Sequence, residues 1–554
     1  MPEHCYALQH CTMKKLTGIK LLLQLKQAPD PSTLLRVLEL LSQIPLTRPL
    51  FIKEYHEQLL FLIAFPYSPK IHSAVNKELK RVALAVKQSS PALYNVLSGD
   101  GIINTELICS YSFSLTKWLS QKFTQAVSLH SSFADADTVR NILQLICPFA
   151  EFEKTTQDEM KLGQRIATIS AIKNKQAQLN WLLRAIDESN LPLNIKEEMF
   201  RQLQVFVQWK ITKPQYSRTF LKFSTENIYY QKKSINQINT KWVLNKKINL
   251  PVKLTTEQKG QLCDTLKTSL ALLSRETDPV TFADEQAVQL FNMGRGFSIA
   301  LVYLKKDRRL SLESYIGYMA FKNGIPVSYG GGWILGTSCK IGVNIYPAFR
   351  KGESAWMFCQ VLRLYHQNFK VSYFYVNPYQ FGKGNPEGLK SGAFWFYYRL
   401  GFRPVQPDIN VLSKTEWKKI NTDKKYRTPV NILKKFTAGP VSLHLNKNNT
   451  PAFFAPEIST LISNYINKHF NSNRKAAIQN GYQKLKTQFQ LTAKNETLSL
   501  LYLLADKNNS LSLKEKKDLA NVFMLQYNNS EAAFIKNLQK CSGFWKLLNT
   551  QGQK

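Results

Sequence analysis

The fifteen residues Ser391–Val405, SGAFWFYYRLGFRPV, decide the fold of this chain. Seven of the eight residues from 393 to 400 are aromatic or aliphatic, which predicts a segment buried in a core. Gly401 and Phe402 end this run, and Pro404, which has no backbone N–H, prevents its continuation.

Upstream of this stretch the sequence changes from helical to strand periodicity. Three apolar runs predict strands, namely FSIALVYL (297–304), ESYIGYMAF (313–321) and CKIGVNIYP (339–347). Between the first two strands and the third, KNGIP (322–326) places Asn-Gly near the centre of a hairpin turn. Met357, Val361 and Leu364 mark the apolar stripe of a helix, and KVSYFYV (370–376) predicts a further strand. A strand, a helix and a strand in this order favour a right-handed parallel crossover.

The two ends of the chain are predicted to be mainly helical. Asp30-Pro31 combines a capping carboxylate with the residue preferred at the first helical position, and leucines follow at helical spacing. The predicted fold class is therefore α+β. Its regions are a mainly helical region (1–210), a basic aromatic connecting segment with a helix (211–284), an α/β sheet domain (285–435) and a lysine-rich helical region (436–554).

The chain is strongly basic. It has 74 Lys plus Arg against 38 Asp plus Glu, a formal net charge of +36. This excess predicts attraction to polyanions such as nucleic acid, anionic lipid or acidic protein. Because the lysines are spread along the whole chain, a second interpretation stays open, in which they only coat solvent-facing surfaces.

One segment, Lys210–Lys247, concentrates charge and aromatic rings. It has nine Lys or Arg, one Glu, and aromatic residues at 216, 220, 223, 229, 230 and 242. Basic groups for phosphates and rings for bases would suit single-stranded nucleic acid. The alternative, which we favour, is a connecting segment whose rings pack on a neighbouring domain while its lysines face water.

The cysteines and the apolar runs bear on the compartment. Eight cysteines without a Cys-x-x-Cys pair predict reduced thiols, as is typical of cytoplasmic proteins. The spacing of His4, Cys5, His10 and Cys11 fits no common zinc site, so we expect no metal. No uncharged run approaches the roughly 20 residues that cross a bilayer, and the N-terminal run LLLQL is too short for a signal peptide. The sequence predicts a soluble, cytoplasmic protein without a membrane span.

The turn Ile345–Ala355, IYPAFRKGESA, joins a predicted strand to a predicted helix. A helix N-terminus offers free N–H groups and the positive end of the helix dipole, so anions bind there. Arg350 and Lys351 add two cations, and Gly352 allows a ligand to approach the backbone. Taken alone, the pattern fits either a phosphate site or an ordinary surface turn.

The turn and the stretch FYYRLGF (396–402) together resemble the GNAT superfamily of acetyl-CoA-dependent N-acyltransferases. In that family a strand ends in aliphatic-x-Pro-x-aromatic-Arg, and a later short helix carries Tyr-x-x-x-Gly-Phe. The matching residues are Ile345, Pro347, Phe349 and Arg350 for the first pattern, and Tyr397, Gly401 and Phe402 for the second. The two patterns lie farther apart than is usual in the family, and the excess is the loop NPYQFGKGNPEGLKSG (377–392).

This resemblance implies a GNAT-like sheet domain at 285–435 with acetyl-CoA as cosubstrate. The pantetheine arm would pair like a strand with Ile345, and Arg350 would hold the pyrophosphate together with the turn that follows. The residues implied there are Lys351, Gly352, Glu353, Ser354 and Ala355. Glu353 stands where the family has a glycine. A carboxylate beside a pyrophosphate is unfavourable unless it turns away or caps the helix.

The resemblance also implies the catalytic chemistry. Tyr397 would lie near the thioester sulfur and protonate the leaving thiolate, which suits a phenol with a pKa of about 10. Tyr398 is the alternative candidate for this role if the motif is aligned one residue later. In a further alternative, Tyr397 is a purely structural core residue. The base that deprotonates the amine is left open between Glu313 and a water molecule.

The functional prediction is acetyl transfer from acetyl-CoA to an amine that the sequence does not identify. The rival is a basic protein that binds nucleic acid or protein on a GNAT-like fold without catalysis. In that case Lys210–Lys247 would be the expected binding groove. No Gly-x-Ser-x-Gly elbow and no Gly-x-x-x-x-Gly-Lys-Ser/Thr loop is present, which argues against serine hydrolases and P-loop nucleotide sites.

Overall fold

The computed structural model describes residues 18–27, 30–155, 160–224, 227–232, 235, 238–350, 352–446, 453–490, 494–507, 511–526 and 528–552. Helices and strands both contribute, so the fold is of the mixed α+β class. Within these residues, no helix has both the length and the apolar character needed to cross a bilayer.

The N-terminal region contains helices and one small sheet. Its helices are α1 (residues 18–27), α2 (Pro31–Ser42), α3 (Pro49–Ala64), α4 (Pro69–Lys87), α5 (Pro91–Leu97), α6 (Phe113–Lys122), α7 (Ala136–Ile146), α8 (Leu162–Ser170), α9 (Lys175–Glu188) and α10 (Leu193–Gln202). Its strands are β1 (Glu106–Cys109), β2 (Val127–Ser132) and β3 (Val205–Lys210). As predicted, α2 begins at Pro31, and the Asp30 carboxylate accepts hydrogen bonds from the N–H groups of Ser32 and Thr33.

The small sheet is a feature that the helical prediction for residues 1–210 missed. Its order is β1-β3-β2, and both neighbours run antiparallel to β3. Val205, Val207 and Trp209 of the central strand are buried, so β3 carries the apolar face of this sheet. Because β1 and β2 are only four and six residues long and lie between helices, they carry too little alternation to be recognised in the sequence.

A connecting segment leads to the central domain through α11 (Thr240–Asn245), α12 (Thr256–Ala271) and α13 (Asp278–Thr281). The central strands are β4 (Gln289–Gly294), β5 (Phe297–Val302), β6 (Ser314–Lys322), β7 (Ile325–Leu335), β8 (Ser338–Ile345), β9 (Tyr373–Val376), β10 (Arg403–Pro404) and β11 (Val441–His444). The helices of this domain are α14 (Ser354–Phe369), α15 (Pro386–Lys390), α16 (Ala393–Arg399), α17 (Pro407–Thr422) and α18 (Val430–Phe436). The strands form one sheet in the order β10-β11-β9-β8-β7-β6-β5-β4.

Helices cover both faces of this sheet. On one face the apolar side chains of α14 and α16 pack on β6, β7 and β8. On the other face α12 and α13 pack on the opposite side chains of β5 and β6, including Met319 and Phe321. Since the buried strands lie between two helical layers, they read in the sequence as nearly continuous apolar runs.

The hairpin between β6 and β7 is the one predicted from KNGIP. Asn323 and Gly324 form its turn, with φ of +49° and +80°, and both angles suit the residue types found there. The Asn323 side chain also donates to the backbone carbonyls of Ala64 and Tyr229, both at 3.0 Å. The turn therefore joins the central sheet to α3 and to the connecting segment.

Three consecutive glycines in β7 leave room for tyrosine side chains from neighbouring elements to lie against the strand. A Cβ on Gly332 would lie 2.4 Å from Cε1 of Tyr365, and one on Gly330 would lie 2.7 Å from the Tyr318 hydroxyl oxygen. Tyr365 donates to the carbonyl of Ile316 at 2.6 Å. The glycines are thus required by the side chains of neighbouring elements and not by a turn.

The predicted crossover is present, but the sheet continues past the predicted boundary. β8, α14 and β9 follow one another, and β8 pairs with β9 in parallel. β11 then inserts between β9 and β10, antiparallel to both. The sheet domain therefore extends to His444 instead of ending near 435, and helices resume only at Ala455.

The C-terminal region is helical, as predicted, and docks on the central domain. Its helices are α19 (Ala455–Phe470), α20 (Arg474–Phe489), α21 (Glu496–Lys507), α22 (Leu513–Met524), α23 (Glu531–Lys540) and α24 (Ser542–Gly552). The Arg309 guanidinium donates to the carbonyls of Gln526 and Asn529, at 3.1 and 2.7 Å. Trp545 of α24 packs so closely on Gly336 that a Cβ there would lie 2.4 Å from the ring.

We expect Gly332→Ala to destabilise the central domain by about 2 kcal/mol, because overpacking a closely packed core costs about 1–3 kcal/mol. The added methyl would meet Tyr365 and also Cys339 Sγ, at 2.7 Å. Gly260→Ala is the matched control, since no atom lies within 4 Å of a Cβ there and the position is helical. Alanine should stabilise that helix by about 0.5–1 kcal/mol. Scanning calorimetry of both variants measures the difference, and equal transition temperatures would contradict the packing account.

Candidate functional site

The central sheet has an opening between β8 and β9. The two strands pair at only three positions, Ser338 with Tyr373 through Lys340 with Tyr375. β9 ends at Val376, whereas β8 continues through residues 341–345 without a ladder partner on that side. We call the space beside residues 341–345 the opening. On this side β8 lacks the neighbouring strand that would normally pair with its backbone N–H and C=O groups.

Tyr397 of α16 lies at this opening. Its hydroxyl lies 3.4 Å from Oε1 of Gln380, and a Cβ on Gly342 of β8 would lie 3.1 Å from Nε2 of the same glutamine. Tyr318 donates to the Gly342 carbonyl at 2.8 Å, which fixes the strand at this point. Tyr397 is buried, and burial raises the pKa of its phenol well above the usual value. The phenol therefore stays protonated across the physiological pH range.

Tyr397 and Tyr398, the two candidates for the catalytic tyrosine, point in different directions from α16. The Tyr397 ring packs on Phe358 of α14 and on Phe381, with centroids 5.8 and 6.3 Å away. Tyr398 instead packs on Trp417, and the Arg403 guanidinium lies 3.9 Å over its ring. Of the two, only Tyr397 lies at the opening.

Glu313, one candidate for the base, lies far along the sheet from Tyr397. It precedes β6, whereas Gly317 is the β6 residue in register with Gly331 and Gly342. Four residues of strand span about 13 Å. Burial raises the pKa of the Glu313 carboxyl, and the positive charge of Lys340 opposes that shift. The structure does not bring Glu313 and Tyr397 together.

The turn after β8 contains most of the residues predicted to bind the cofactor. Arg350 is half-exposed, donates from Nε to the Ile345 carbonyl at 3.3 Å, and forms an ion pair with Glu387. Ser354 donates its hydroxyl to the Arg350 carbonyl at 3.0 Å, and Ala355 follows in the first turn of α14. Lys351 lies outside the described residues.

Gly352 and Glu353 face the N-terminal region. A Cβ on Gly352 would lie 2.8 Å from Cζ of Phe65, just after the end of α3. The Glu353 side chain neither caps α14 nor reaches solvent, since it is 2% exposed. Its Oε1 accepts from Arg295 at 2.6 Å and from the Ile235 N–H at 3.1 Å. From the sequence alone two arrangements are open for Glu353, in which its carboxylate either turns away from the turn or caps α14. The structure has the first.

A buried lysine completes this arrangement. Lys322 Nζ lies 3.7 Å from the other Glu353 oxygen and donates to the Arg295 carbonyl at 2.7 Å. The ammonium also lies 5.0 Å over the rings of Phe65 and Tyr229. Burial lowers the pKa of Lys322 to about 8, although Glu353 opposes the shift. We call Glu353, Arg295 and Lys322 the ion cluster. Sequence reasoning missed this cluster, because Lys322 precedes Asn-Gly and cannot be distinguished in the sequence from an ordinary hairpin residue.

A cavity of about 720 Å³ lies on the other side of the turn, between α1, α2, α3 and residues 347–353. Its lysines are already paired, Lys26 with Glu54 at 3.3 Å and Lys53 with Asp100 at 2.6 Å. Asp30, Glu57 and Glu353 add further carboxylates to its lining. Because the lysines of the lining are paired and further carboxylates face the cavity, it does not attract an anionic ligand. Arg350 and the start of α14 remain the anion-binding candidates.

The basic aromatic segment Lys210–Lys247 uses most of its described rings for packing. Tyr216 packs on Phe123 with centroids 5.1 Å apart, and Phe223 is buried against Phe321. Trp242 is the exception among the described residues of the segment, with 65% of its surface exposed. This is the packing interpretation favoured above, and it leaves few ring faces for bases.

Comparison with protein-family models, with curated proteins and with solved structures finds no match to this chain. The chemistry of the site therefore has to be argued from its own residues. The six cysteines of the described residues are free thiols, and no group of three His, Cys, Asp or Glu side chains there is placed to hold a metal. His4, Cys5, His10 and Cys11 lie outside the described residues.

We expect Glu353→Gln to destabilise the central domain by about 3 kcal/mol, because breaking a buried ion pair leaves an uncompensated charge. Lys322 and Arg295 would keep their positions but lose the carboxylate. The control is Glu198→Gln, which removes an equal charge from the exposed pair with Arg201 and should leave the transition unchanged. Scanning calorimetry compares the two. A Glu353→Gln midpoint equal to the wild type would show that the ion cluster contributes no stability.

Proposed function

We propose that this chain is an acyl-CoA-dependent N-acyltransferase with a GNAT-like central domain, which transfers an acetyl group from acetyl-CoA to an amine. The observation that carries the proposal is the opening between β8 and β9 with the Tyr397 hydroxyl beside it. A strand edge without a ladder partner can pair with the amides of a pantetheine arm as it would with another strand.

The anionic part of the cofactor would lie where β8 runs into α14. The first amides of α14 have no acceptor within their own helix, and the helix dipole is positive at this end. Arg350, in the turn before α14, adds a half-exposed guanidinium. Glu353 does not oppose this arrangement, because its carboxylate is bound in the ion cluster and turned away from the turn.

The transfer step balances with the residues present. The amine nitrogen attacks the thioester carbonyl carbon, and the carbon–sulfur bond breaks. The departing sulfur takes a proton from the Tyr397 hydroxyl; burial keeps this phenol protonated but also makes it a weaker proton donor than a free phenol. The proton lost by the amine goes to water, since among the described residues no carboxylate acts on the Tyr397 phenol. Tyrosine regains its proton from solvent after the free thiol leaves.

We expect calorimetry to detect acetyl-CoA binding to the wild-type protein, and Tyr397→Phe to bind it with an affinity within about twofold. In that variant, thiol release in the presence of a lysine peptide, an arylamine and a polyamine as probe acceptors should fall about a hundredfold or more, the usual contribution of a general acid. Tyr398→Phe is the matched control on the same helix and should retain turnover. Equal activity in Tyr397→Phe would exclude this tyrosine from the mechanism, and absence of binding at millimolar acetyl-CoA would reject the function.

A second candidate function, nucleic-acid binding, is favoured by one surface. The segment Val405–Pro440 between β10 and β11, which we call the basic excursion, has eight Lys or Arg among 36 residues, against 74 in the 554 of the chain. All eight side chains are exposed, and Lys419 pairs with Glu416 at 2.8 Å. The excursion is fixed to α16 through a hydrogen bond of 3.1 Å from Trp395 to Thr428. A polyanion on this surface would lie beside the helix that carries Tyr397.

We expect the triple variant Lys414→Gln, Lys418→Gln, Lys425→Gln to weaken binding of a DNA duplex and to flatten its salt dependence. Each lost phosphate contact lowers the log–log slope by about 0.9, so the change should approach 2.7. The control neutralises three exposed lysines of the C-terminal region, Lys475, Lys486 and Lys514. If both triple variants reduce the slope equally, the binding reflects overall charge and not the basic excursion.

A further inference from the structure

The segment Asn377–Gly392 between β9 and α16 has its own internal structure. The Asn377 side chain accepts from the Tyr379 N–H at 2.9 Å, and Asn385 caps α15 by accepting from the Gly388 N–H at 3.2 Å. Asn385 also donates to the Tyr379 carbonyl at 3.0 Å, which ties the two halves of the segment together. The segment is therefore held together by its own hydrogen bonds, while its Phe381 ring is buried against Phe394 and Tyr397.

The first contact of this segment with the rest of the domain fills the opening. Gly342 faces the same side of the sheet as Gly317, against which Pro279 of α13 packs. Gln380 packs on Gly342 from that side, whereas Tyr397 packs on α14, on the other side. The hydrogen bond from Tyr397 to Gln380 therefore passes through the opening itself.

The second contact reaches the turn after β8. Glu387 of α15 forms an ion pair with Arg350, and the two side chains are 67% and 50% exposed. A carboxylate on a guanidinium occupies the position that a phosphate would take, because both anions bind the same donors. The pair is exposed to solvent and hence weak, so an incoming diphosphate can displace it.

We propose that Asn377–Gly392 is a lid that keeps the candidate site closed until the cofactor enters. Glu387 competes with the diphosphate for Arg350, and Gln380 fills the space that the pantetheine arm needs. Gly392, with φ of +63°, lies at one end of the lid and Gly382, with φ of +138°, lies within it. Gly392 supplies backbone freedom at the end of the lid, where such a movement has to bend. The proposal rests on the proposed acyltransferase function and adds its regulation.

The first test is calorimetry of acetyl-CoA with the wild type, Glu387→Gln and Gln380→Ala. We expect each variant to bind about two- to fivefold more tightly, the range expected for removing one exposed ion pair or a similar contact. Glu198→Gln is the control, since it makes the same charge change at an exposed pair on α10. An affinity that is unchanged or lower in Glu387→Gln would overturn the competition that defines the lid.

The second test needs no ligand and separates failure of the lid from failure of the function. In hydrogen exchange measured by mass spectrometry, Glu387→Gln should accelerate exchange in residues 377–392 severalfold and leave β6 and β7 unchanged. If no protein binds acetyl-CoA but the exchange accelerates, the proposed function fails while the movable segment stands. If the exchange in 377–392 equals that of the wild type, Arg350 does not hold the segment and the lid is rejected.

Discussion

The carboxylate of Glu353 is the constraint on which the arrangement of the site depends. A carboxylate removed from water has to be matched by donors and positive charge. Here Oε1 accepts from Arg295 and the Ile235 amide, and the Lys322 ammonium lies 3.7 Å from Oε2. These partners come from the β4–β5 turn, the end of β6 and the connecting segment. These contacts of Glu353 therefore fix the first turn of α14 relative to the sheet. Phe65, which lies against both Lys322 and Gly352, extends the same constraint to the N-terminal helices.

Aromatic packing supplies the second half of the arrangement and explains the density of rings in α16. Its rings point in several directions at once, because Phe394 stacks on Phe436 at 4.1 Å while Trp395 stacks on Trp417. Tyr397 packs toward α14. A seven-residue helix has little stability of its own, so it is held by these contacts from every side. The same packing fixes the direction of the Tyr397 hydroxyl.

Much of the central fold could be predicted from the sequence because its signals are local. Strand periodicity, the Asn-Gly turn and the glycine after α16 each act within a few residues, and the structure has all three. The small N-terminal sheet and the order of β9, β10 and β11 could not be predicted. Both depend on pairing between segments that lie far apart in the chain, as β1 and β3 do. Local pattern carries no information on such partners.

The candidate site also has a part that could be predicted from the sequence and a part that could not. The placement of Tyr397 near the cofactor is implied by the family resemblance and stays a prediction, whereas the partners of its neighbours could not be predicted from the sequence. Gln380 is an unremarkable polar residue in a loop until Gly342 is seen to make room for it. The destination of Glu353 depends on Arg295, 58 residues away, and on Lys322. Side chains whose roles are set by distant partners leave no pattern along the sequence.

The insertion of β11 also sets the order in which the domain can be completed during synthesis. β9 pairs with β8 at only three positions and with β11 at four, so most of its ladder comes from a strand that follows 65 residues later. Until His444 has left the ribosome, β9 is an edge strand with unpaired backbone groups, and α16 has no completed sheet to pack on. The antiparallel strands β4 to β8 contain only neighbouring pairings and can form before that. The sheet beside the opening thus cannot be completed before β11 is available.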